Sequence, residues 1–200
     1  MTAASTQSID TPDWSKIPSP TDDGAADHLV GVLLPSIPLQ STDGENVILA
    51  SLRGKVVVYA YPLTGVPGQP NPVGWDMIPG ARGCTPQCCA FSNNNQALID
   101  AGVSKVFGLS TQSTEYQREL ANRLHLPFSI LSDNHRLLAD ALGLPTMAVS
   151  GEIMLKRLTM IIDDGRITKV FYPVFPPDGN AKEVLDFVST TRGKAHENAG

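Results

Sequence analysis

Apolar residues run along the chain in short blocks separated by Gly, Pro, Asn and Asp, and the period of the blocks changes from one to the next. Residues 55 to 62, KVVVYAYP, are β-branched and aromatic without polar alternation, which predicts a central parallel strand buried on both faces. Upstream, LVGVLLPSIPLQSTDGENVILASL holds two short apolar segments flanking Asp43-Gly44, a dipeptide that predicts a small hairpin at the sheet edge. Downstream, residues 63 to 83 contain five Gly and four Pro and predict a long irregular loop, of a length that is usually functional. A helix from about Thr85 to Ala101 follows, with Pro86 in its first turn and Gly102 ending it. Then come a strand (104 to 110), a helix from Ser113 to 125 with a capping hydroxyl at its start, a strand (128 to 131) and a helix (135 to 143). Two strands, LKRLTMII and RITKVFY, flank an Asp164-Gly165 turn, and a last helix (180 to 192) sets Ala181, Val184, Leu185 and Val188 at helical spacing. This βαβα alternation predicts an α/β fold with helices against a sheet.

Two hundred residues suit one domain. Residues 1 to 28, rich in Ser, Thr, Asp, Pro and Ala, read as a mobile amino-terminal arm that Trp14 could pin, residues 29 to 192 as the domain, and residues 193 to 200 as a polar tail. The chain start lacks the basic residues and apolar run of a signal peptide, and no stretch has the roughly 20 apolar residues of a membrane span. A cytoplasmic setting without a membrane partner is the expectation. The net charge of −5, from 15 basic and 20 acidic residues, opposes a nucleic-acid partner.

Cys84, Cys88 and Cys89 lie within six residues, and they are the chain's only cysteines. An odd, local cluster does not make a disulfide scaffold, so it points to thiol redox chemistry or metal binding. A structural zinc site needs a second ligand pair farther along the chain, and the four His show no matching spacing, so no metal is expected. Cys84 follows a Gly/Pro loop and opens a helix, where the unsatisfied amides of the first turn favour thiolate. The plainer reading of Cys84 and Cys88 is that of small hydrophobes packing the helix against the sheet.

The run CTPQCCAF, with Cys84, Thr85, Cys89 and Phe91, resembles the Cys-Thr-x-x-x-Cys-x-Phe element of the peroxiredoxins, in the branch called peroxiredoxin Q or bacterioferritin comigratory protein. Tyr61-Pro62 ends a strand like the one before that family's active-site loop, and LPFSILSD and RLTMIIDDGRI resemble its later strands and turn, so the resemblance covers about residues 30 to 190. It implies a thioredoxin-like fold with a central mixed sheet flanked by helices. Cys84 would be the peroxidatic cysteine, Cys89 the resolving partner, and Arg157 the cation beside the peroxidatic sulfur. Without the resemblance, Arg157 reads as a strand-edge charge pairing with Asp163 or Asp164. The family's hydroxyl and proline before the cysteine would fall at Ala81 and Met77, so the resemblance leaves Pro62, with Thr64 or a backbone amide near Gly83, as the substrate-binding candidates. A second register, Thr85-Pro86-Gln87-Cys88, would make Cys88 the nucleophile but loses both the partner at plus five and the proline.

The implied activity is a thiol-dependent peroxidase: hydrogen peroxide or an organic hydroperoxide oxidises Cys84 to sulfenic acid, an intramolecular disulfide forms, and a thioredoxin- or glutaredoxin-type donor reduces it. No cofactor is called for, and a monomer or homodimer fits. The alternatives are a thioredoxin-like disulfide reductase, which wants Cys-x-x-Cys, and a redox-sensing binding module. Spacing and resemblance pull apart over the resolving cysteine. Five residues of intact helix rise about 7.5 Å and turn about 140°, so Cys89 points away from Cys84, whereas Cys88 lies nearly on its face.

Overall fold

The computed structural model describes residues 12–197. Its sheet has seven strands in the order β2-β1-β5-β4-β3-β8-β9. The strands are β1 (Pro38–Ser41), β2 (Asn46–Ile48), β3 (Lys55–Ala60), β4 (Val103–Ser110), β5 (Ile130–Ser132), β8 (Leu158–Asp163) and β9 (Arg166–Phe171). Strands β3, β4 and β5 are parallel, and the rest pair antiparallel, with β2 and β9 at the edges. The expected mixed α/β sheet is therefore present, as is the edge hairpin around Asp43-Gly44.

Strand β3 shows no polar alternation because each face enters a different core. Val56, Val58 and Ala60 pack with Leu39, Leu131, Met160 and Ile162, while Val57, Tyr59 and Tyr61 pack with Cys84, Cys88, Phe91, Ile130 and Ile161. The second core is covered by α1 (Cys84–Asp100), α2 (Thr114–Arg123) and α4 (Asn180–Glu197), and α3 (Leu137–Leu142) closes the first. Ser113 caps α2, its hydroxyl accepting from the Tyr116 amide at 3.3 Å.

The structure differs from the sequence reading in four places. The first concerns the strand expected from residue 155. A second, two-stranded sheet, β6 (Thr146–Val149) with β7 (Glu152–Leu155), precedes β8, so Leu155 ends one strand and Leu158 begins another. Lys156 and Arg157 lie between them, and the Lys156 amide donates to Pro145 O at 2.8 Å, which extends the β6–β7 pairing by one residue. Second, the loop of residues 63 to 83 has a small core of its own: Trp75 and Ala81 are buried against Val149 and Met154 of the β6–β7 hairpin. Third, the segment read as a mobile arm is docked from residue 12 onward. Trp14, the residue expected to pin it, meets Phe175 edge to face with centroids 6.0 Å apart, and Asp23 accepts from Lys156 Nζ at 2.6 Å and from the Tyr172 hydroxyl at 2.7 Å. Residues 1 to 11 of that arm lie outside the described residues. Fourth, the helix expected to stop at 192 continues to Glu197, so most of the polar tail is helical, its last three residues being outside the described ones.

Helix α1 is preceded by Gly83, whose φ of 102° is a left-handed conformation that other residues adopt only at a cost of roughly 1–2 kcal/mol. A Cβ at that position would stand 2.6 Å from Pro177 Cγ and 2.7 Å from Trp14 Cη2. Gly102, with φ 99°, would face open space. Gly83→Ala should therefore lose roughly 1–3 kcal/mol more stability in urea unfolding than Gly102→Ala, the increment of an overpacked site. Equal losses would show that Trp14 and Pro177 yield without cost.

Candidate active site

Cys84 is the first residue of α1, only 3% exposed, at the carboxyl end of the loop that follows β3. Its neighbour is Arg157, brought in by the break between β7 and β8 and itself 3% exposed. Arg157 Nη2 donates to Cys84 Sγ at 3.2 Å, while the thiol can donate to Ala81 O at 3.5 Å. The same guanidinium faces the carbonyls of Gly80, Ala81 and Arg82 at 3.4, 3.1 and 3.1 Å, and Nη1 donates to Gln87 Oε1 in a short contact. Among the described residues no carboxylate pairs with Arg157, and its Nε has no partner. A pairing with Asp163 or Asp164 is thus not formed; Asp164 instead accepts from the Gly54 amide at 2.9 Å.

Gln87, one turn beyond Cys84, extends the network inward. Its Nε2 donates to Asn180 Oδ1 at 3.0 Å, and the Thr159 hydroxyl donates to the same oxygen at 2.6 Å. These three side chains are fully or almost fully buried and join α1, β8 and α4 behind the Arg157–Cys84 contact. Gln87, Thr159 and Asn180 escaped the sequence reading; Gln87 lies three residues after Cys84 on the same helical face, the one signal that could have found it.

Cys84 meets Arg157, Gly83 directly precedes it, and the structure places the remaining candidates elsewhere. Cys84 and Gly83 border a cavity of about 220 Å³ together with Leu63, Trp75, Arg82 and Thr85. Pro62 lies instead on a separate cleft of about 380 Å³, beside Gln112 and Arg136. The Thr64 hydroxyl is buried and donates to Gln112 Oε1 at 3.0 Å, and Gln112 Nε2 returns a bond to Thr64 O at 3.1 Å. Pro62 and Thr64 are therefore not brought to the cavity beside Cys84. The hydroxyl that does border it is Thr85.

The other two thiols are unlike. Cys88 is fully buried between α1 and the sheet, and burial pushes its thiol up to about 12. Cys89 is half-buried, and desolvation pushes its thiol up to about 11, opposed by the Arg123 cation on α2. All three cysteines are free, on an intact helix. Among the described residues no group of three His, Cys, Asp or Glu could hold a metal ion, and no helix is long and apolar enough to cross a membrane.

The family model for Redoxin matches residues 29–185, and the chain belongs to that family. It is 27% identical over 161 residues to chloroplastic peroxiredoxin Q of Gentiana triflora, covering 80% of this chain and 66% of that protein, and so spans about two thirds of its length. To the chloroplastic peroxiredoxin Q of Sedum lineare it is 28% identical over 159 residues, 79% of this chain and 76% of the relative. Among solved structures, peroxidoxin BcpB of Mycobacterium tuberculosis matches with a TM-score of 0.65 at 22% identity, over 80% of this chain and 96% of that one. The bacterioferritin comigratory protein of Xanthomonas campestris, a protein with alkyl peroxide reduction activity, matches with a TM-score of 0.64 at 22% identity, over 81% and 99%. The fold is thus that of the peroxiredoxins, the thioredoxin-like architecture expected from the sequence.

The raised thiols carry a pH consequence. A group whose folded pKa lies above its unfolded value adds stability that is complete below the unfolded pKa and is lost as pH rises towards the folded one. For Cys88 that window runs from the ordinary value of 9.0 to about 12. Buried Tyr59 and Tyr61, also pushed up by burial, add a further loss at higher pH. Between pH 8 and pH 10.5 the urea stability of Cys88→Ala should fall by about 2 kcal/mol less than that of the unsubstituted protein. Equal falls would mean that Cys88 ionises in the folded protein as readily as in the unfolded one.

Proposed function

We propose that this chain is a thiol peroxidase that reduces hydrogen peroxide and organic hydroperoxides at Cys84. The observation that carries this reading is the 3.2 Å contact of Arg157 Nη2 with the sulfur of Cys84, a residue that borders a small cavity, in a redoxin-family chain. The Cys84 thiolate attacks the terminal peroxide oxygen; the S–O bond forms as the O–O bond breaks, and water or an alcohol leaves once the departing oxygen takes a proton. Arg157 acts as counter-charge to the sulfur and as donor to the departing oxygen. Nη1 is fixed on Gln87, and Nη2 is itself held among the carbonyls of Gly80, Ala81 and Arg82, so little reorganisation is needed as charge moves. A thiol that is 3% exposed suits a small peroxide better than a protein disulfide, which favours this activity over a disulfide reductase.

Resolution then falls to Cys89: its sulfur attacks the Cys84 sulfenic acid, the S–S bond forms, and the hydroxyl leaves as water with the Cys89 proton. A thioredoxin- or glutaredoxin-type dithiol returns the pair to thiols, in a reducing compartment such as the cytoplasm. A disulfide needs Cα atoms within about 7 Å and converging Cβ vectors, so the start of α1 must unwind. That start has no capping side chain to lose, and Pro86 contributes no backbone donor. Unwinding also returns Cys89 to water and removes the desolvation that holds its proton.

Cys84→Ser should abolish peroxide turnover and Cys88→Ser should keep most of it, as read by peroxide consumption with a thioredoxin donor. After one equivalent of peroxide, peptide mapping should find a Cys84–Cys89 bond, with faster amide exchange over residues 85 to 89. A dead Cys88→Ser beside an active Cys84→Ser would move the nucleophile by four residues. A Cys84–Cys88 bond with unchanged exchange would remove both Cys89 and the unwinding.

A further inference from the structure

The redoxin match begins at residue 29, yet the segment before it is seated on the candidate site. Pro12 borders the Cys84 cavity. Two residues on, the Trp14 ring occupies the space in front of Gly83, within 2.7 Å of where a Cβ would stand, and rests its edge on Phe175. Asp13 stiffens this turn, its carboxylate accepting from the Ser15 amide at 3.2 Å and from the Ser15 hydroxyl at 2.6 Å. Farther along, Pro20 lies against Gly80, and Pro20 and Thr21 border a second cavity, of about 260 Å³, whose wall includes Arg157. Asp23 ends the crossing, held by Lys156 and Tyr172. The segment thus lies against Gly80 and Gly83, on either side of the stretch whose carbonyls hold Arg157, and borders two cavities, one lined by Cys84 and the other by Arg157.

We propose that residues 12 to 23 are a wall of the active site that sets the width of the molecule reaching Cys84, so that this chain favours narrow peroxides over bulky ones. The proposal deepens the peroxidase reading and rests on it for the word peroxide. Access to the Cys84 sulfur can be measured without turnover, so the two can fail separately.

The test is the alkylation rate of Cys84 in the full chain, followed by mass at the Cys84 peptide, with a narrow reagent, iodoacetamide, and a wide one, N-(1-pyrenyl)maleimide. Trp14→Ala removes the ring over Gly83. Asp23→Ala, at an exposed position, releases the far anchor and serves should Trp14→Ala fold poorly. The wide-to-narrow rate ratio should rise about tenfold in Trp14→Ala and several-fold in Asp23→Ala, with the iodoacetamide rate within twofold of the unsubstituted protein. A ratio unchanged in both variants, or an equal rise for both reagents, would overturn the wall. If the ratio rises while Cys84→Ser keeps its turnover, the wall stands as an access device and the peroxidase assignment to Cys84 falls.

Discussion

A guanidinium removed from water with no carboxylate beside it is unstable unless something else satisfies it, and the region around Cys84 is arranged to satisfy one. Arg157 is 3% exposed and meets three backbone carbonyls, the Gln87 amide oxygen and one sulfur. Carbonyls supply dipoles but no compensating charge. Among the described residues in contact with the cation, only Cys84 has a side chain able to carry negative charge.

Much of the remaining architecture serves to hold this contact. The break between β7 and β8 delivers Arg157, and the left-handed Gly83 turns the loop so that Cys84 opens α1. The β6–β7 hairpin buries Trp75 and Ala81 and so steadies the loop whose carbonyls face the guanidinium. From behind, Asn180 Oδ1 accepts from the Gln87 amide and is itself held by the Thr159 hydroxyl. Removal of Arg157 would leave Gln87 Oε1 and the Gly80 and Arg82 carbonyls without that donor, so the site and the loop conformation depend on each other.

The elements with a strong local signal were legible in the sequence. KVVVYAYP reads as a doubly buried strand because both faces of β3 meet apolar cores. CTPQCCAF reads as a helix start because it follows a Gly/Pro-rich loop and places Pro86 in the first turn. The β6–β7 hairpin was missed although Ser150-Gly151 marks its turn, since LKRLTMII looks like one strand and nothing local shows that it breaks at Lys156-Arg157. Thr64 was a reasonable hydroxyl by position, but its partner Gln112 lies 48 residues away, a pairing that no local pattern carries. The Gln87–Asn180 bond spans 93 residues and was equally invisible. Residues 12 to 28 read as an arm by composition; their docking rests on single side chains, Trp14 and Asp23, whose receiving surfaces are built by distant parts of the chain.

The claim at the centre of this account is that Arg157 works on the Cys84 sulfur rather than merely holding the loop. The measurement that tests it is the second-order rate of Cys84 oxidation by hydrogen peroxide, followed in single turnover for Arg157→Ala and Arg157→Lys, with circular dichroism to confirm that both are folded. The account predicts a fall of about 10²-fold for Arg157→Ala, the scale of losing one oxyanion donor, and partial recovery for Arg157→Lys, which restores the charge without the forked donors. An unchanged rate in a folded Arg157→Ala would contradict it and leave the arginine a structural charge.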